Sequence, residues 1–252
     1  MVDNSLMYFR ICMADKVIGI KPQFSYIREF CKDYITEEPE DFWISTDLSD
    51  IRYEREKSDR EDELAGIPVR QFADEYLETL AVYRKITEKL IDSDILLYHG
   101  SAIAIDGQGY LFTAKSGTGK STHTRLLCEY LGNRAVMIND DKPLLTISEN
   151  GVAIHGTPWM GKHGIGNNIS VPLKAVCVVT RAEENHMIKV NPYEIYPMLL
   201  QQVHRPVSEE GMQKTMKLID RLMANVSFYK LGCNMSSDAP RVSYEGLNGG
   251  IE

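Results

Sequence analysis

The string Ala114-Lys115-Ser116-Gly117-Thr118-Gly119-Lys120-Ser121 carries the residue types needed to hold a polyphosphate. It has the spacing of a nucleotide-binding P-loop, with alanine in place of the first glycine. Gly117 and Gly119 allow the backbone to wrap tightly and turn successive N–H groups inward. A helix beginning near Lys120 would add its positive end. The Lys120 ammonium can reach β- and γ-phosphates, and the Ser121 hydroxyl can be offered to Mg2+. Ser116, Gly117, Thr118, Gly119, Lys120, Ser121 and Thr122 are therefore the candidate nucleotide contacts.

Other chemistry lies downstream. Asp140-Asp141 follows the apolar run 135–139, and paired acids at a strand end can hold Mg2+ or take a proton from an attacking hydroxyl. The alternative is an ordinary turn, Asn139 to Pro143. His99-Gly100 opens the strand pair that feeds the loop, which would bring His99 near the same place. A second glycine-rich stretch, Gly156 to Asn168, reads either as a plain connection or as a mobile active-site loop with Lys162 or His163 on phosphate. Trp159 could hold a base or pack in the core. Arg205, after the helix-like segment ending near Gln202, could stabilise transferring charge or sit at a surface helix end.

The elements that must position these residues are legible in the patterning. Residues 7–13 and 17–21 are β-rich around an Ala14-Asp15 turn, and Phe24, Ile27, Cys31 and Tyr34 recur at helical spacing. The charge run 52–63 reads as a solvated loop or exposed helix. Phe72, Tyr76, Leu80, Tyr83 and Leu90 predict a helix with a core-facing stripe. From residue 95 onward, strands are expected at 101–106 and 109–114 around Asp106-Gly107-Gln108-Gly109. A helix is expected over 121–131, and strands over 135–139, 143–148, 151–155 and 174–180. A Met-rich amphipathic helix over 211–226 would present Met212, Met216, Ile219, Leu222, Met223 and Val226. This divides the chain into an N-terminal α+β region of unassigned role (1–94), a catalytic region (95–245) and a flexible tail (246–252).

Composition narrows the function classes. The 252 residues have a net charge of −8, which disfavours general binding to nucleic acid. No run approaches the ~18 apolar residues of a membrane span. The N-terminus lacks a signal-peptide pattern, and five widely spaced cysteines without a CxxC pair fit the reducing cytoplasm.

Together these residues resemble the HPr serine kinase/phosphorylase family and its shorter homologues. The resemblance rests on His99-Gly100, the strand pair, Ser116 to Ser121 and Asp140-Asp141, within roughly residues 95–180. His163-Gly164-Ile165-Gly166 echoes the family's later Arg-Gly-x-Gly segment, with Lys162 or His163 in the arginine's place. The family's preceding glutamate has no counterpart in Trp159-Met160-Gly161-Lys162. The resemblance implies an α/β protein with a mixed α+β sheet, built on a P-loop core of the HPr kinase and phosphoenolpyruvate carboxykinase type. It further implies that Lys120 binds phosphates, Ser121 and Asp141 serve Mg2+, Asp140 is the base, and His99 sits beside the reacting phosphate.

The expected function is an ATP- and Mg2+-dependent kinase acting on a hydroxyl of a peptide, protein or small molecule, with serine the leading acceptor. A nucleotide-dependent ATPase or regulatory switch without an acceptor is the alternative. A binding module without catalysis is a third reading. Nucleic acid and membrane are not expected partners, and homo-oligomerisation stays open.

Overall fold

Ala14 and Asp15 take left-handed backbone angles, φ 50° and 58°. They close β1 (Phe9–Met13) onto β2 (Lys16–Lys21) as a two-residue hairpin. The computed structural model describes residues 8–115, 117–206, 208–234 and 236–249. The chain divides into two units, Met1–Leu90 and Ile91–Glu252. The division precedes the 94/95 boundary expected from sequence because the turn Ile91–Ser93 belongs to the second unit. Ile91 lies in that unit's core, and Lys214 bonds Asp92.

In the first unit, α1 (Tyr26–Phe30) and a 3-10 turn bury Ile27, Cys31 and Tyr34. β3 (Phe42–Ser45) then pairs parallel to β2. Asp47 starts α2 (Leu48–Leu64) with a capping box. Much of the charge run is solvated on α2, but Glu54 and Asp62 are buried, where Arg84 and Arg70 pair with them. Such long-range partners are what make a buried carboxylate tolerable. α3 (Asp74–Leu90) buries Leu77, Ala81, Val82, Tyr83, Ile86 and Leu90, whereas Tyr76 is exposed and Phe72 precedes the helix. The core-facing stripe is thus rotated from the expected one. Fully buried Glu78 holds the segment after β2 by accepting the Gln23 and Phe24 N–H groups and the Thr46 hydroxyl.

The second unit runs β4 (Ile95–Leu97), β5 (Ser101–Ile105), β6 (Gln108–Thr113), α4 (Lys120–Leu131), β7 (Ala135–Asn139), β8 (Leu144–Ser148), β9 (Gly151–His155) and β10 (Ser170–Arg181). It continues with β11 (His186–Lys189), α5 (Tyr196–Gln202), α6 (Glu209–Asn225), β12 (Ser227–Cys233) and α7 (Ala239–Leu247). The strands make one mixed sheet in the order β4-β8-β9-β10-β6-β5-β7, with β12 paired to β10 and β11. β10 pairs antiparallel with β9 through its first residues, then parallel with β6 and β12.

Both faces of this sheet are covered, so its strands read as apolar runs rather than alternating ones. Leu111, Val176 and Val178 pack on one face with Leu218, Ile219 and Leu222 of α6. Phe112, Cys177 and Val179 pack on the other with Leu127 of α4 and Leu247 of α7. α6 departs from the expected stripe: it buries Leu218 and Thr215 while Met216 is exposed. The tail expected from residue 246 is also corrected, because Gly246 and Leu247 are buried in α7. Residues 250–252 of that tail lie outside the described residues. No described helix is long and apolar enough to cross a membrane.

Candidate functional site

β6 delivers buried Phe112 and Ala114 to the base of the glycine-rich loop, and α4 leaves it at Lys120. Gly117 and Gly119 have φ of 75° and 120°, a region that disfavours other residues. An added Cβ at either would meet nothing within 4 Å, so backbone conformation and not space demands glycine. Arg181, at the end of β10, donates to the Gly117 carbonyl at 2.9 Å and ties the loop to the sheet. The first turn of α4 has no acidic residue, and Gly119 gives it no side-chain cap. Its positive end is therefore uncompensated locally. Ser116 lies outside the described residues.

Lys120 is 9% exposed, and its Nζ lies 3.5 Å from the Ala114 carbonyl. Burial pushes this amine below the ordinary lysine range, while nearby Asp141 and Asp140 pull it back.

The acidic turn is built by Asn139, the last residue of β7, which is fully buried. Its Oδ1 accepts the Asp141 and Lys142 N–H groups at 2.9 and 2.6 Å. Its Nδ2 donates to the Thr157 carbonyl and hydroxyl, both at 3.0 Å. Asn139→Ala would strand these groups in the interior. We expect it to cost about 3 kcal/mol in urea unfolding, and Asn139→Asp to be no milder, because it replaces the donor to the Thr157 carbonyl with a buried charged acceptor.

Asp140 accepts a hydrogen bond from Ser101 Oγ at 2.7 Å, and Ser101 Oγ lies 2.7 Å from Thr124 Oγ1. This buried pair links β5 and α4 to one carboxylate and fixes its orientation. Ser101→Ala would leave the buried Asp140 carboxylate without its orienting hydroxyl and should cost about 1–2 kcal/mol in urea unfolding. Asp141 contacts His99 Nε2 at 3.3 Å. Burial raises the Asp141 carboxyl pKa, but the His99 bond and the charges of Lys142, His99 and Lys120 outweigh it and hold the group below the usual carboxylate range. His99 is set by its own N–H, which donates to the Gln202 carbonyl at 2.6 Å, and the Gly100 N–H donates to the Asp141 carbonyl at 3.0 Å.

The second glycine-rich stretch is tied along β7. The Asp140 N–H donates to the Ile165 carbonyl, and the Asn167 N–H to the Ile138 carbonyl, at 3.2 and 3.0 Å. Gly161 has φ 70° and sits so close to Asp141 that an added Cβ would come within 2.9 Å of Asp141 Cβ. Lys162 and His163 follow it in a 3-10 turn. Trp159 is buried, a core residue.

These elements converge on a cavity of about 390 Å³ lined by His99, Gly117, Gly119, Lys120, Ser121, Thr122, Asp140, Asp141, Gly161, Lys162 and His163. Thr118 lines a neighbouring cleft instead. Arg205 lines neither; it is exposed beyond the Tyr98–Val203 bridge that follows α5. Sequence reasoning missed Ser101, Thr124, Asn139 and Arg181. Only Asn139 had a local signal, the Asn-Asp-Asp turn composition. Among the described residues, no three His, Cys, Asp or Glu side chains are grouped to hold a metal by themselves.

Comparison with known proteins adds the following. No curated protein matches the chain. Among solved structures, the HPr(Ser) kinase/phosphatase from Coxiella burnetii is similar at 13% sequence identity, with 61% of this chain and 88% of that chain covered and a TM-score of 0.35. The family model of SynChlorMet cassette protein ScmC matches residues 69–242, a span that contains the whole candidate cavity. The chain belongs to the SynChlorMet cassette protein ScmC family.

Proposed function

We propose that the chain is an ATP- and Mg2+-dependent kinase that transfers the γ-phosphate to a hydroxyl, serine first among them, of a peptide, protein or small molecule. The observation that carries this reading is a single cavity holding Lys120 and the uncapped start of α4 on one side and Asp140, Asp141 and His99 on the other. Loop N–H groups and a largely buried ammonium suit a polyphosphate. A carboxylate fixed by Ser101 suits the proton of an attacking hydroxyl.

In this reading Asp140 accepts the acceptor's proton as its oxygen attacks the γ-phosphorus. The bond to the β,γ-bridging oxygen breaks, and ADP leaves with that oxygen. Lys120 and the loop N–H groups hold the phosphate oxygens against the charge that develops. Ser121 and Asp141 would hold Mg2+ together with phosphate oxygens. The donor set fits, because Mg2+ usually takes one or two carboxylates plus substrate phosphates rather than an all-protein cage. The ion would supply charge neutralisation between the phosphates. His99 steadies Asp141 and faces the same cavity.

The test is incubation of the full chain with γ-labelled ATP and Mg2+, with seryl peptides and small alcohols as acceptors. Label on an acceptor is the expected result. Release of free phosphate with no labelled acceptor would favour the ATPase or switch reading.

A further inference from the structure

A second cavity, of about 420 Å³, opens on the other side of the glycine-rich loop. It shares Gly117, Gly119 and Thr122 with the first, so a ligand seated on the loop reaches both. Its walls differ in chemistry. Leu126 comes from α4, Ala182 follows β10, and Cys233 ends β12. His123 also lines it, buried and tilted against the Phe112 ring, with no hydrogen-bond partner for its Nε2. Burial pushes this imidazole down to about 4, so it is neutral at physiological pH. The Asn234 amide is already used: Nδ2 donates to the Glu183 carbonyl at 2.7 Å, and Oδ1 accepts the Ser236 N–H at 2.9 Å.

We propose that this cleft takes the nucleoside half of the triphosphate and recognises the base by its faces rather than its edge. The proposal rests on the loop's reading as a phosphate site. A neutral imidazole, a thiol, a leucine and an alanine suit a flat, uncharged ring and disfavour further charge. Arg181 lines this cleft and bonds Gly117, a residue shared by both cavities. One arm holds Gly117, and its exposed guanidinium plane offers a stacking surface. With one Asn234 N–H and its Oδ1 already bonded to backbone, the wall offers few partners to a base edge, and adenine and guanine would be treated alike. The ligand class is thus a nucleoside triphosphate with weak base discrimination.

Titration calorimetry on the full chain with Mg2+ tests this, using ATP, GTP and inorganic tripolyphosphate. The wild type should bind ATP and GTP within about threefold of each other. Ala182→Trp and, independently, Leu126→Trp fill the cleft away from the loop. Each should weaken both nucleotides roughly tenfold or more while tripolyphosphate binding stays unchanged. Unchanged nucleotide affinity in both variants would overturn the assignment, as would an equal loss for tripolyphosphate. Discrimination between ATP and GTP beyond roughly a hundredfold would overturn recognition by faces. Failure of the underlying phosphate reading looks different, because the wild type would then bind neither nucleotides nor tripolyphosphate.

Discussion

Asp140→Asn should lower phosphoryl transfer by about a thousandfold while Mg2+·ATP affinity stays within about threefold of wild type. The asymmetry follows from what the substitution keeps. Asparagine still offers an oxygen to Ser101, whose bond to Asp140 Oδ1 spans 2.7 Å, so the turn after β7 should hold its shape. Its backbone tie to Ile165 also remains. What disappears is the negative oxygen able to take a proton. A hydroxyl must then lose its proton to water while it attacks, and the loss falls on kcat alone. Rapid-quench measurement of transfer beside calorimetric ATP binding separates the two quantities. A drop in ATP affinity matching the drop in transfer would move Asp140 from proton acceptor to metal or phosphate support.

Lys120→Ala should act on both quantities. ATP affinity should fall about a hundredfold and transfer should fall below detection, because a charge-assisted bond to phosphate is worth about 1.5–3 kcal/mol and strengthens as charge develops. The protein should still fold, since the ammonium's contact with the Ala114 carbonyl is long, 3.5 Å. Removing it takes away a cation that acts on both Asp140 and Asp141, so their repulsion of the incoming phosphates adds to the lost bond. Lys120→Arg should not restore function. The guanidinium is broader than an ammonium and would have to fit a side chain position that is 9% exposed. Circular dichroism before and after ATP titration checks that folding is preserved. Wild-type turnover in Lys120→Ala would remove the loop from the chemistry.

The parts of the chain that could be read from sequence are those whose signals are local. The Asp106-Gly107 pair takes φ of 49° and 80° and joins β5 to β6 close to the expected bounds. The loop between β6 and α4, and the acids after β7, sit where strand and helix patterns placed them. What escaped depends on partners distant in the chain. Glu54 and Asp62 looked solvated because their arginines lie 30 and 8 residues away. β11 and β12 carry mixed polar and apolar residues and make sense only once β12 pairs with β10. Ser101 and Thr124 are separated by 23 residues, and neither differs in sequence from any buried hydroxyl. Arg181 bonds Gly117 from 64 residues away. The faces of α3 and α6 are shifted from the expected ones for a common reason. Tyr83 and Leu90 in one, and Ile219, Leu222 and Met223 in the other, are buried as expected, but Glu78, Thr79 and Thr215 are buried too, and polar residues at core positions are invisible to apolar spacing.

In the proposed mechanism one cavity brings a triphosphate's terminal phosphate to Asp140. The most direct measurement is a crystal structure of the full chain with a non-hydrolysable ATP analogue and Mg2+. The phosphates should lie on the Gly117–Thr122 backbone and Lys120, with the terminal phosphate facing Asp140 and His99. Phosphates bound elsewhere, or a terminal phosphate turned away from Asp140 toward Arg181, would contradict it.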